Sequence, residues 1–154
     1  MTDTQTFMDL ALEEARVAAE AGEVPIGCVI VCDEEVIAQS GNRTLAERDP
    51  TAHAEMVAIR RAAEALGSER LVDCDLYVTL EPCTMCAGAL VAARIARLVY
   101  GAADPKAGFA GSVGDVVRHP ALNHRVEVTA GVRDAECSGL LKAFFRDRRG
   151  GVEP

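Results

Sequence analysis

His53-Ala54-Glu55, followed further along by Pro82-Cys83-Thr84-Met85-Cys86, constrains this chain more than any other feature. The two segments supply one imidazole, two thiols and a carboxylate. Zinc takes thiolate sulfur and imidazole nitrogen in a tetrahedral shell; structural sites fill all four positions with protein, and catalytic sites use three and leave one to solvent. Here the ligands number three, His53, Cys83 and Cys86, with Glu55 left as a group that need not ligate. Any fold for this chain must therefore bring two distant segments into one coordination sphere.

The spacing of Cys83 and Cys86 places both thiols on one face of the first turn of a helix, with Pro82 suited to that helix start. His53 and Glu55 fall likewise in the first turn of an earlier helix. Two helix N-termini aimed at one metal present free N–H groups and positive partial charge, which offset an anionic site and help keep the thiols ionised. A zinc-bound water has its pKa lowered to about 7. Glu55 beside that water is placed to take its proton and deliver it to a leaving group. Each fragment alone says less. C-x-x-C also occurs in redox pairs and structural half-sites, and a structural site here would draw a fourth ligand from His119, His124 or Cys137.

The chain has 154 residues, which fits one domain, 1–154, able to bury a sizeable core. No apolar run approaches the ~18 residues of a membrane span. Residues 1–10 lack a basic start and an apolar core, so they do not read as a signal peptide, and the cytoplasm is the expected location. In that compartment Cys28, Cys32, Cys74 and Cys137 read as small core or near-core residues. The net charge of −8 argues against an extensive nucleic-acid surface, yet arginines gather at 94–97, at 118–125 and at 146–149, leaving room for a local basic face.

Periodicity predicts a helix over Thr6–Ala21 with Phe7, Leu10, Ala11, Ala15 and Ala18 on its apolar stripe, ended by Gly22. Val24–Cys32 reads as a buried strand, Asp33–Glu35 as a turn and Val36–Ser40 as its hairpin partner. Gly41–Pro50 reads as a polar loop. A helix then runs from Thr51 or Ala52 to Leu66, stopped by Gly67. Asp75–Leu80 is a strand, Cys83–Ala93 an apolar helix suited to a core or an interface, and Ala96–Tyr100 another strand. A glycine-bearing loop, Asp104–Gly114, precedes a strand at Val126–Ala130, a helix at Arg133–Arg148 and a frayed end from Gly150. Strands alternating with helices predict a layered α/β fold with parallel neighbours.

The paired motifs resemble the signature of the zinc-dependent nucleobase deaminases. DPTAHAE, LYVTLEPCTMCAGAL, YGAADPKAG, LNHRVEV and FFRDRR extend the likeness, from about Phe7 to Arg149, to the TadA-type tRNA adenosine deaminases. The resemblance implies a cytidine deaminase-like three-layer α/β/α sandwich with a mixed five-stranded sheet, one zinc ion per subunit, and a homodimer. It implies conversion of adenosine to inosine at the wobble position of an arginine tRNA with an ACG anticodon. Zinc-bound hydroxide would attack C6 of a base splayed out of the anticodon loop, with Glu55 as proton shuttle. It also implies that Asn42 hydrogen-bonds the base and that Val24, Pro25, Ile26 and Ala54 line its pocket. Asp104 and Lys106 would meet flanking nucleotides, and Asn123 and His124 would form a second contact segment. Of the pair Phe144 and Phe145, one would stack near a flanking base and the other pack in the core. Arg146, Arg148 and Arg149, with Arg70, would meet phosphates. Phe109 departs from the small residue usual at its position. Two other functions share parts of this pattern: a deaminase of free guanine or cytosine bases or nucleosides, and a non-catalytic zinc-stabilised binding module. LNHR, the Asp104–Gly108 loop and the Phe144–Arg149 end favour RNA over a free base, and Glu55 speaks against the binding module.

Overall fold

A two-residue turn at Asp33 and Glu34, both at positive φ, folds β1 (Gly27–Cys32) against β2 (Glu35–Gly41). This hairpin forms one side of a five-stranded sheet ordered β2-β1-β3-β4-β5, with β3 at Cys74–Leu80, β4 at Arg97–Ala102 and β5 at Glu127–Ala130. The computed structural model describes residues 4–150, with side chains to Arg148. β1 is antiparallel to both β2 and β3, whereas β3, β4 and β5 are parallel. The helices are α1 (Thr4–Glu20), α2 (Thr44–Glu47), α3 (Ala54–Leu66), α4 (Thr84–Ala93) and α5 (Asp134–Gly150).

The central strands read as near-continuous apolar runs because both faces are covered. Cys28, Ile30, Leu76, Val78, Leu98 and Tyr100 point to the side occupied by α3 and α4. Val29, Val31, Tyr77 and Val99 point to the other side, against Phe7, Met8, Ala11 and Leu12 of α1 and Cys137 of α5. The expected three-layer sandwich with a mixed five-stranded sheet is the architecture found.

Several boundaries move for physical reasons. The first strand begins at Gly27 rather than Val24. Leu10 does not join the α1 stripe: it is 38 % exposed, while Met8 and Leu12 are buried and continue the i, i+3, i+4 face. The expected loop 41–50 contains the short helix α2. The helices α3 and α4 start after His53 and Cys83, which serve as their N-caps. α5 extends to Gly150, and the rest of the expected frayed end lies outside the described residues. The six cysteines are free thiols; Cys28, Cys74 and Cys137 are buried and Cys32 half-buried. Cys86, Ala87, Leu90, Val91 and Ala93 put one face of α4 in the core, leaving Met85, Gly88, Ala89 and Ala92 more open.

Strand directions decide where a site can form. β2 and β3 both oppose β1, so they run the same way, and β4 runs with them. Their C-terminal ends, and the residues entering β1, therefore share one edge, where ligands collect in open α/β sheets. α1 packs tightly beneath that edge. A Cβ on Gly27 would overlap the Ala11 carbonyl oxygen and lie 2.6 Å from Ala15 N. Gly27→Ala is accordingly expected to destabilise the fold by about 3 kcal/mol, read as a lower urea midpoint with an unchanged m-value.

Candidate functional site

Both helices that reach this edge begin on a residue whose side chain does not cap. His53 (φ −67°, ψ 155°) precedes α3 and Cys83 (φ −74°, ψ 178°) precedes α4, and neither side chain makes a capping hydrogen bond. An N-cap side chain ordinarily satisfies a first-turn N–H; these two turn toward each other instead. His53 Nδ1 lies 3.6 Å from Cys83 Sγ and 3.5 Å from Cys86 Sγ. A tetrahedral metal with ordinary Zn–N and Zn–S bond lengths separates such atoms by roughly 3.6 Å. The side chains thus stand at coordination spacing, and two sulfurs with an imidazole nitrogen suit a borderline-soft divalent ion.

Among the described residues this is the single cluster of histidine, cysteine and acidic groups arranged to hold a metal. The candidate fourth ligands are engaged elsewhere. His124 Nε2 is 2.7 Å from the Ile95 carbonyl oxygen, His119 Nδ1 accepts the Ala121 N–H, and Cys137 lies beneath the opposite face of the sheet. Three protein ligands would leave one position for solvent, as in hydrolytic rather than structural centres.

Hydrogen bonds from the Cys86 thiol and His53 pull the Cys83 thiol down to about 3, against its burial. Cys86, facing that thiolate and buried, is pushed well up. His53 is raised, chiefly by its hydrogen bond to Cys83. Glu55, in the first turn of α3, is 4 % exposed, and burial lifts its carboxyl to about 7 against the pull of its own backbone N–H and of His53. A carboxyl near neutrality can both accept and return a proton.

A cavity of about 200 Å³ opens over these groups. Ile26, Leu80 and Ala107 give it apolar walls; His53, Cys83, Glu55, Glu81 and Asp104 supply the polar ones. The structure therefore gathers Ile26, His53, Glu55, Cys83 and Asp104 of the sequence-expected residues. Ala54 is buried beside them, and Asn42 donates its backbone N–H to the Ile26 carbonyl, one residue from the cavity wall. Pro25 is buried, and Val24 lines a neighbouring groove with Phe144, Phe145 and Arg148. Lys106 borders another groove with Leu141, Lys142 and Phe145. The Phe144 and Phe145 rings meet edge to face at 5.4 Å, with the Arg148 guanidinium 4.9 Å from the Phe144 ring centre. Phe144 is half-buried, and Phe145, 43 % exposed, is the outward member.

Others stand apart. Asn123 and His124 lead into β5, at the edge opposite the cavity within one chain, and His124 is tied to Ile95 there. Arg70 likewise precedes β3 at that opposite edge. Arg146 is exposed with Asp147 4.0 Å away, and the Arg149 side chain lies outside the described residues. Phe109 packs on the core and over Gly114, where a Cβ would sit 2.7 Å from its ring.

Sequence reasoning missed two buried carboxylates. Glu23, 3 % exposed, accepts the N–H groups of Leu45 and Ala46 at the start of α2 and the Asn42 amide at 3.4 Å. Glu81, 2 % exposed, accepts from Asp104, Ala110 and Ser112. Burial disfavours its charge, yet the Ser112 hydroxyl and these N–H groups hold its carboxyl below the ordinary value. The available cue was a glutamate abutting an apolar run, Glu23 before 24–32 and Glu81 after 76–80, since such a residue is seldom buried without partners.

The family model of MafB19-like deaminases matches residues 2–149. A tRNA-specific adenosine deaminase of Agrobacterium fabrum is 54 % identical over 97 % of this chain and 98 % of its own length. A structure from a study of A-to-I editing by tRNA:A34 deaminases at the wobble position of transfer RNA superposes with a TM-score of 0.85. It is 56 % identical and covers 88 % of this chain and 98 % of that one. A guanine deaminase of Bacillus subtilis shares 33 % identity at a TM-score of 0.67, covering 99 % of this chain and 98 % of its own.

Two outcomes are expected of the isolated site. Cys86→Ala loses stoichiometric zinc after metal loading, measured by elemental analysis, whereas wild type retains it. In metal-stripped protein the raised Glu55 carboxyl contributes stability that is full below its ordinary 4.5 and lost as pH climbs through about 7. Urea unfolding should show that decline in wild type and a flatter profile in Glu55→Gln.

Proposed function

The chain belongs to the MafB19-like deaminases, among the tRNA-specific adenosine deaminases, and on that footing we propose that it converts adenosine to inosine at the wobble position of an arginine tRNA with an ACG anticodon. The observation that carries the chemistry is Glu55. A structural metal site has no use for a buried carboxylate held near neutrality beside a three-ligand set.

His53, Cys83 and Cys86 would hold one zinc ion. When bound, zinc supplies the Lewis acidity that brings a water's pKa to about 7. The remaining work falls to the chain. Glu55 takes a proton from the attacking water and returns it to the departing amino group, so that C6 gains oxygen and ammonia leaves. First-turn N–H groups of α3 and α4 favour negative charge at this edge. Ile26, Leu80 and Ala107 enclose the flipped base and limit water, and Asn42 hydrogen-bonds it.

Asp104, Lys106, Phe145, Arg146, Arg148 and Arg149 would receive flanking nucleotides and phosphates. Asn123 and His124 face away from the cavity of their own chain, so they would meet the same RNA only from a second subunit. The open face of α4 (Met85, Gly88, Ala89, Ala92) suits such a homodimer. A tRNA substrate fits a cytoplasmic location, and no described helix is long and apolar enough to cross a membrane. With a net charge of −8, RNA affinity would depend on a few phosphate contacts and fall steeply with salt.

The guanine deaminase likeness makes a free-base substrate the alternative. One assay separates the two: the zinc-loaded protein with an anticodon stem-loop bearing ACG, and separately with adenine, guanine, cytosine and their nucleosides. Inosine in the hairpin alone is the expected result; turnover of guanine without the hairpin would establish a base deaminase instead. Glu55→Ala should retain zinc and lose roughly 10²- to 10⁴-fold in kcat. Full activity in that variant would remove the proton shuttle.

A further inference from the structure

The chemistry above leaves one cavity-lining carboxylate without a task. Glu81 leaves β3 immediately before Pro82 and Cys83, and its side chain is almost wholly enclosed. Oε1 accepts the Asp104 N–H at 3.0 Å and the Ser112 hydroxyl; Oε2 accepts the N–H groups of Ala110 and Ser112, each at 3.0 Å. Four donors fill the acceptor capacity of a carboxylate. All four come from the connection that follows β4. The Pro82 carbonyl accepts a further N–H from that loop, from Phe109 at 2.8 Å. The loop that contributes Asp104 and Ala107 to the cavity is thus fastened to the two residues that lead into Cys83.

Gly108 shows how close the fit is. A Cβ there would overlap the Glu81 carboxyl carbon and lie 2.5 Å from both of its oxygens, so only bare backbone can pass. Above this anchor the loop closes on itself: Asp104 Oδ1 accepts the N–H groups of Lys106 and Ala107, each at 3.1 Å.

We infer that Glu81 is a positioning residue: its carboxylate, through its four hydrogen bonds, fixes the Asp104–Ser112 loop against the turn that leads into Cys83 and so sets the grip on the RNA strand flanking the target base. What is gripped rests on the tRNA deaminase reading; the anchoring does not. Glutamine, though the same size, is no substitute. Its single oxygen offers two acceptor sites, and its NH₂ would face backbone N–H groups, leaving buried donors without partners.

The test compares zinc-loaded wild type, Glu81→Gln and Ser112→Ala on the ACG stem-loop, alongside amide hydrogen exchange without RNA. Glu81→Gln should raise KM about tenfold with kcat within about threefold of wild type, the mark of lost binding rather than lost chemistry. Its zinc content should be unchanged, and the amides of Ala110 and Ser112 should exchange faster. Ser112→Ala, which removes one of the four bonds, should move both readouts the same way by less. An unchanged KM, a fall in kcat larger than the rise in KM, or unaltered exchange at Ala110 and Ser112 would each overturn the inference. If Glu81→Gln does not fold, Ser112→Ala decides it on the same two readouts. Wild type that makes no inosine in the hairpin would defeat the tRNA reading, and the exchange measurement would still decide the anchor.

Discussion

Two helix starts give up their own caps so that three side chains can meet, and the rest of the site depends on that exchange. His53 and Cys83 occupy positions where a serine or aspartate would normally bond back to the helix, and both turn outward. The first-turn N–H groups then become an asset, because they face the edge where negative charge gathers. With His53 Nδ1 already 3.5 to 3.6 Å from both sulfurs and all three atoms within 4.8 Å of one another, the set needs little rearrangement to take a metal. Binding to a set held this way loses less to ordering than binding to a flexible one.

The sheet makes the meeting possible. Because β1 opposes both neighbours, β2 and β3 end at the same edge, and the helices that follow them start side by side on one face. β4 ends there too and sends out the loop bearing Asp104. Glu81 and Glu23 brace this edge from two sides, one holding that loop and the other holding α2 and the Asn42 amide. Each is a buried carboxyl tolerated because several donors surround it.

Much of this was legible in the residues. H-x-E and P-C-x-x-C marked the candidate ligands and the spare carboxylate, since few side chains bind zinc and their spacing has few uses, and the fold brings His53, Cys83 and Cys86 together. The apolar runs of β1, β3 and β4 marked strands covered on both faces. Less legible were features that depend on contacts far along the chain. Leu10 reads as apolar and lies on the open side of α1, because the sheet selects the Met8 and Leu12 face instead. Val24–Ile26 looks like strand and is entry segment, held at its end where the Gly27 N–H bonds to Thr79 Oγ1.

The sequence by itself determined the candidate ligand types and the carboxylate near them, because coordination chemistry restricts which residues can serve. Tertiary structure alone decided what surrounds them. It placed Asn123 and His124 at the far edge, set Phe145 outward, and enclosed Glu81 among four donors. Those outcomes follow from strand direction and from hydrogen bonds between residues 23 to 31 positions apart, and no local pattern encodes either.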